Sequence, residues 1–172
     1  MPPILQIIAG TPVWVWVLFA FLMFLGIRAL RPATSPLWRV AILPSVFFVW
    51  GLYNLVALYG LTLQRALPWA AALLVGTLVG MRIAGRQPIR ADKTRHLVHS
   101  SGGPLTLVLI LLIFSIKYVF GFLHATQPGS FIEPRFWLSE LALSGVLAGM
   151  FIGRFAGLWR QYRAAPHEDL AT

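Results

Sequence analysis

Pro104-Leu105-Thr106-Leu107-Val108-Leu109-Ile110-Leu111-Leu112-Ile113-Phe114-Ser115-Ile116-Lys117-Tyr118-Val119-Phe120-Gly121-Phe122-Leu123-His124 decides the fold. Between the opening proline and the closing histidine there is one charge, Lys117. A run of about 20 such residues is the length a helix needs to cross a hydrocarbon core roughly 30 Å thick. In that medium the backbone must satisfy its own polar groups, so the run is a helix.

Working outward, four further segments have the same character, and residues 12–30, 37–63, 67–84, 104–124 and 135–159 read as spans. The expectation is an all-α, polytopic membrane helix bundle of five transmembrane helices, forming a single integral membrane domain over residues 1–172. Thr11 can cap the first span, with Pro12 at its first helical position, and Trp14 and Trp16 fall where an outer aromatic belt would be. Pro32, Ser35 and Pro36 read as a short turn, and Pro44 as a kink in the second span. The connection from 63 to 67 is so short that the second and third spans form an antiparallel hairpin. Residues 85–103 are basic and too polar to cross. The centre of this loop, Asp92-Lys93-Thr94, reads as the turn of a small β-hairpin at the cytoplasmic surface between helices 3 and 4. A short polar tail follows residue 159.

Composition agrees with residence in lipid. The chain is 58% hydrophobic and only 11% charged, with a formal net charge of +9. The excess of base has a topological origin, because Lys and Arg gather at the cytoplasmic ends of membrane helices and meet anionic headgroups there. With the N-terminus outside, Arg28, Arg31, Arg39, Arg82, Arg86, Arg90, Lys93, Arg95, Arg154, Arg160 and Arg163 all fall inside. Arg65 and Arg135 fall outside, and Lys117 is within the membrane. The partners this implies are anionic lipids at the cytoplasmic face, and not nucleic acid. No Lys or Arg precedes Arg28, so the first span reads as a retained helix and not as a cleavable signal. The absence of cysteine excludes disulfides, thiolate metal sites and thiol relays.

Thr11-Pro12-Val13-Trp14-Val15-Trp16, Leu43-Pro44, Ser101-Gly102-Gly103-Pro104-Leu105, Phe114-Ser115-Ile116-Lys117-Tyr118-Val119-Phe120-Gly121, Gly153-Arg154 and Leu158-Trp159-Arg160 together resemble a family of small, uncharacterised bacterial inner-membrane proteins, a domain of unknown function. The resemblance implies a location in the bacterial inner membrane, and the charge distribution orients the chain with its N-terminus periplasmic and its C-terminus cytoplasmic. The resemblance implies no activity.

One intramembrane polar cluster is legible. Counted along the fourth span at 1.5 Å per residue, Lys117 lies about 10 Å below the outer surface. Glu140, the one acid in any span, lies roughly 6–8 Å below it in the next, antiparallel helix. Asn54 falls at about 13 Å in the second span, and His124 is near the outer rim on the face of Lys117. These four residues carry two readings. One is a structural ion pair locking two helices, with Lys117 half snorkelled. The other is a site for a small anion or a proton relay. Tyr118, about 100° around the helix from Lys117, takes no part.

A second pattern concerns packing. Gly145, Gly149, Gly153 and Gly157 recur every fourth residue, and Ala72, Gly76, Gly80 and Ala84 form a matching stripe in the third span. Such stripes let helix backbones approach closely. They serve either the packing of spans three and five on one another or an interface with a second copy or another membrane protein. Gly145 is about 140° around the helix from Glu140, so the fifth helix needs neighbours on two sides.

Chemistry beyond this is thin. His96 and His99 lack the further ligands of a metal site, no axial pair for haem lies within the spans, and nothing supports Lys117 as a chromophore anchor. There is no phosphate-binding loop, nucleophilic triad or carboxylate pair. No catalytic residue, metal or cofactor is expected, and an enzyme is the least supported class. The favoured function is a non-catalytic subunit, scaffold or assembly factor acting through helix packing and a basic cytoplasmic face. The alternative is a small permease or channel for an anion or protons at the Lys/Glu cluster.

Overall fold

The computed structural model describes residues 12–85, 89–126 and 133–168. They form α1 (Val13–Arg28), β1 (Ala33–Pro36), α2 (Leu37–Tyr53) continued by a π-helical turn (Asn54–Leu58), α3 (Leu63–Ala84), β2 (Ile89–Asp92), β3 (Leu97–Ser100), α4 (Leu105–Thr126) and α5 (Pro134–Ala164). Four stretches are long and apolar enough to cross a membrane: Leu37–Leu58, Leu63–Ala84, Leu105–Leu123 and Pro134–Ala164. The expected first span is the exception. α1 is apolar but has 16 residues, about 24 Å at 1.5 Å per residue, short of a ~30 Å core. The expected cap Thr11 lies outside the described residues, and Pro12 precedes the helix with an extended ψ of 143° and is not its first residue.

Other boundaries move for identifiable reasons. The second span ends at Leu58, before residue 63, because Gly60 takes a left-handed φ of 74° and turns the chain. α3 then starts at Leu63, four residues earlier than expected, because Pro68 is accommodated inside the helix. α2 likewise runs through Pro44. The segment after residue 159 is not a free tail. α5 continues to Ala164, and at 31 residues, about 46 Å long, it outreaches the hydrocarbon.

The core is built on glycine. α3 and α5 pack along their whole length, and a Cβ added at Gly145 would stand 2.6 Å from the Trp69 carbonyl oxygen. One at Gly149 would overlap the Leu73 carbonyl, and one at Gly153 that of Thr77. In return, Gly76 and Gly80 lie against the backbone carbonyls of Val146 and Met150, while Gly157 meets Ala84. Both stripes are therefore filled by each other within one chain. On its other side α5 faces α2 and α4, where Phe47, Leu109, Ile110, Ile113, Leu147, Ala148 and Phe151 form the largest apolar cluster. Outward-facing Leu74, Val75, Leu78 and Val79 of α3 are exposed, as are Trp38, Val49 and Tyr53 of α2. Apolar surface that extensive belongs in lipid.

The basic end folds more fully than expected. The hairpin β2–β3 is present, with Ile89 opposite Ser100 and Asp92 opposite Leu97. Its turn is closed by Asp92 Oδ1, which accepts from the amides of Thr94 (2.9 Å) and Arg95 (3.0 Å). Residues 33–36, expected as a turn, are instead a third strand on the far edge of β3, with Ala33 opposite Ser100. An edge is where a strand ending in Pro36 is tolerated. Ala91 and Val98, cross-strand partners, point inward and are buried with Leu37 and Tyr162. The segment after α5 then covers the β2 edge, where the Glu168 amide donates to the Ala91 carbonyl at 2.9 Å. Gln161 Nε2 caps α3 by donating to the Ala84 carbonyl at 2.6 Å. Three segments that the sequence presents as separate connections thus make one layer.

Candidate functional site

Helices α4 and α5 are antiparallel neighbours, and their facing surfaces bring Lys117 and Glu140 together. Lys117 Nζ stands 3.4 Å from Glu140 Oε1. Glu140 is buried, with 5% of its side chain exposed against 22% for Lys117. The second carboxylate oxygen, Oε2, accepts from the hydroxyl of Tyr59, itself buried. The pair is thus a triad drawn from α4, α5 and the segment after α2, and it fastens three helices at the end of the bundle away from the sheet.

Tyr59 is the residue that the sequence reading missed, and the π turn explains why. From Asn54 to Tyr59 an α-helix rotates about 140°, which separates the two faces. The observed turn closes instead on a bond from the Tyr59 amide to the Asn54 carbonyl, 3.3 Å long and five residues in span. That brings Tyr59 round toward the face of Asn54 and aims its hydroxyl at α5. Turns of this kind recur at functional sites and at places where a helix must re-aim a side chain. The nearest signal in the sequence is the positive-φ Gly60 directly after it, which marks where the helix must stop.

The other expected members fare differently. Asn54 is buried, but no hydrogen bond joins it to Lys117 or Glu140, and its observed contribution is the backbone bond that closes the π turn. The side chain of His124 lies outside the described residues. Arg65, counted only as an outer loop charge, donates to the Tyr59 carbonyl and stands over the Trp137 ring at 5.8 Å. Around it Leu55, Tyr59, Trp69, Trp137 and Leu141 form an apolar cluster. Its Trp69 Nε1 is a buried donor without an acceptor, a group that costs on the order of 1–3 kcal/mol.

Space decides what the triad can do. The pocket beside Lys117, reached also by Ser144 and Gly51, measures about 20 Å3. A single water needs roughly 10–15 Å3. The pocket has room for about one water. Gly145, Gly149, Gly153 and Gly157 lie on the opposite side of α5 against α3, whose Gly76 and Gly80 lie in turn against the α5 backbone. Among the described residues no group of three His, Cys, Asp or Glu side chains could hold a metal. His99 instead bonds Thr34 Oγ1 at 3.0 Å, across the β1–β3 pair.

An apolar bundle with four membrane-length helices, the Lys117–Glu140 pair within it and its basic segments gathered at one end, is compatible with a multi-pass membrane protein. The chain belongs to DUF6622, a family of unknown function, whose match covers residues 2–167. No curated protein and no solved structure matches it.

Proposed function

We propose that this protein is a non-catalytic structural component of the bacterial inner membrane, a subunit, scaffold or assembly factor that presents a basic cytoplasmic face. The observation that carries the reading is the folded layer at the sheet end. Loops that merely join spans need no fold, yet here β1, β2, β3 and the end of α5 are knit together around buried Ala91 and Val98. Arg28, Arg31, Arg39, Arg82, Arg90, Lys93, Arg95, Arg160 and Arg163 stand exposed on it or beside it. Of the acids there, Asp92 is turned inward and Glu168 is paired with Arg90. A rigid surface of one sign suits an anionic partner or the anionic leaflet. The positive-inside rule then assigns this end to the cytoplasm, with α1 as a fifth span and the N-terminus periplasmic.

The permease reading lacks a comparable support, since the space at Lys117 admits about one water. Purification in a gentle detergent should yield the chain with a stoichiometric second polypeptide. Reconstituted alone in liposomes, it should pass neither chloride nor protons above the empty-vesicle rate. Flux that disappears in Lys117→Met would overturn the proposal in favour of transport.

A further inference from the structure

A cleft of about 180 Å3 opens at the sheet end, between the beginnings of α2 and α4, the C-terminal half of α5 and strands β1 and β3. At roughly 30 Å3 per water it has room for about six. Its lining includes the apolar Leu43, Pro44, Phe151, Phe155 and Leu158, and the polar Arg31, Ser35, Ser100, Thr106 and Arg154.

Arg154 is the feature that needs an explanation. It sits within the apolar stretch of α5, two and a half turns before the helix ends. Its Nη1 donates to Thr106 Oγ1. A guanidinium has five N–H donors, and no carboxylate among the described residues forms an ion pair with this one. The acids described at this end are committed elsewhere. Glu168 holds Arg90, and Asp92 accepts the two turn amides and stands 4.0 Å from His167. A cation set into a partly apolar lining without a counter-charge is costly, whereas Lys117 in the same bundle has its carboxylate. α4 begins at Leu105, so Thr106 belongs to its first turn, and the positive end of that helix dipole also faces the cleft. Two independent features therefore favour an anion here.

We infer that this cleft binds the phosphate of an anionic membrane lipid, held by Arg154 and Thr106 with Arg31 at the mouth, its first acyl carbons against Phe151 and Phe155. Guanidinium and phosphate match bidentately. The apolar part of the lining selects a lipid over free phosphate, which would leave it uncovered. The site adjoins the exposed basic layer and shares Arg31 with it, and it requires only that the chain reside in a bilayer.

The test uses the full chain, delipidated in a mild nonionic detergent and titrated with phosphatidylglycerol, with phosphatidylcholine and with sodium phosphate, binding being read by native mass spectrometry. Phosphatidylglycerol should bind at a single high-affinity site and be preferred over phosphatidylcholine by about tenfold or more. Arg154→Gln should weaken it by about tenfold or more, the loss of one charge-assisted contact, while Arg154→Lys, which keeps the charge but not the bidentate fork, should fall between that variant and the native chain. Equal affinity in the native chain and a folded Arg154→Gln variant overturns the site, and so does equal affinity for the two lipids. Displacement of phosphatidylglycerol by millimolar sodium phosphate overturns the lipid assignment in favour of a free anion. Should Arg154→Gln fail to fold, the exposed Arg31→Gln serves, and unchanged phosphatidylglycerol binding in that variant also refutes the proposal.

Discussion

At the scale of single residues, the two halves of the intramembrane pair are not equivalent. Glu140 is nearly inaccessible, and its ammonium partner comes from another helix, while Lys117 keeps 22% of its side chain exposed and can lean toward polar surroundings. Lys117→Met removes the positive charge facing a buried carboxylate, a loss on the order of 3 kcal/mol. Glu140→Gln preserves an oxygen for Tyr59 and leaves a lysine that can snorkel, so about 1 kcal/mol is expected. Tyr59→Phe deletes a hydroxyl that donates to a carboxylate and should cost about 2 kcal/mol. Denaturation in detergent measures all three, and the Lys117→Met, Glu140→Gln double variant should lose less than the sum of its parts. Additive losses would mean that the residues stand side by side without interacting. The same series separates clamp from site. A double variant that is stable yet biologically inactive would give the cluster a role beyond fastening helices.

At the scale of elements, the α3–α5 contact governs the bundle, because backbone meets backbone along it. Gly149→Leu and Gly153→Leu place a side chain where the carbonyls of Leu73 and Thr77 already are, and no rotamer change can relieve that. Each should cost more than about 3 kcal/mol and abolish a monodisperse elution profile. Gly26→Leu is a milder perturbation. Its Cβ would meet the flexible Leu107 Cδ1 at 2.5 Å, so α1 and α4 can adjust. Gly121 has nothing within 4 Å, and Gly121→Leu should be neutral to within about 0.5 kcal/mol. Similar behaviour of all four variants would show that close approach is not what the glycines provide. Since each stripe is occupied by the other, a partner or second copy has to use different surface, and exposed apolar side chains remain on α1, α2, α3 and α4.

At the scale of the whole molecule, α1 decides the topology of one terminus only. Four crossings by α2, α3, α4 and α5, each long and apolar enough for one, would return the C-terminus to the side of the sheet whatever α1 does. If α1 crosses, the N-terminus is on the opposite side; if it lies in the interface, both termini share a side. The native chain contains no cysteine, so single cysteines at Gln6 and Thr172 can be labelled in intact cells without background. Gln6→Cys should react with an impermeant reagent from outside. Thr172→Cys should react only after permeabilisation. Labelling of Thr172→Cys from outside would invert the whole arrangement, whereas failure at Gln6→Cys alone would remove α1 from the set of spans.

Hydropathy is a property of consecutive residues, and so the membrane-length helices α2 to α5, the polar loop before α4 and the glycine periods could be read from the sequence alone. Depth is nearly as local, because residues count off a fixed rise along a helix, and this is how Lys117 and Glu140 could be matched before any coordinates. Partnership is different, since it depends on rotation about each axis and on contacts between segments far apart in the chain. Residues 33–36 form a strand only because β3 offers them an edge, 61 residues later at Pro36–Leu97 and 67 at Ala33–Ser100, counted from the register. Tyr59 reaches Glu140 only because one π turn changes its azimuth, and nothing in the pattern of apolar residues records that. The end of α5 looks like a polar tail until Tyr162 and Gln161 find the sheet and α3. Arg154 was legible as one more inside charge. That it faces a cleft with Thr106 and without an acid is settled by which helices converge there, and only the tertiary structure holds that information.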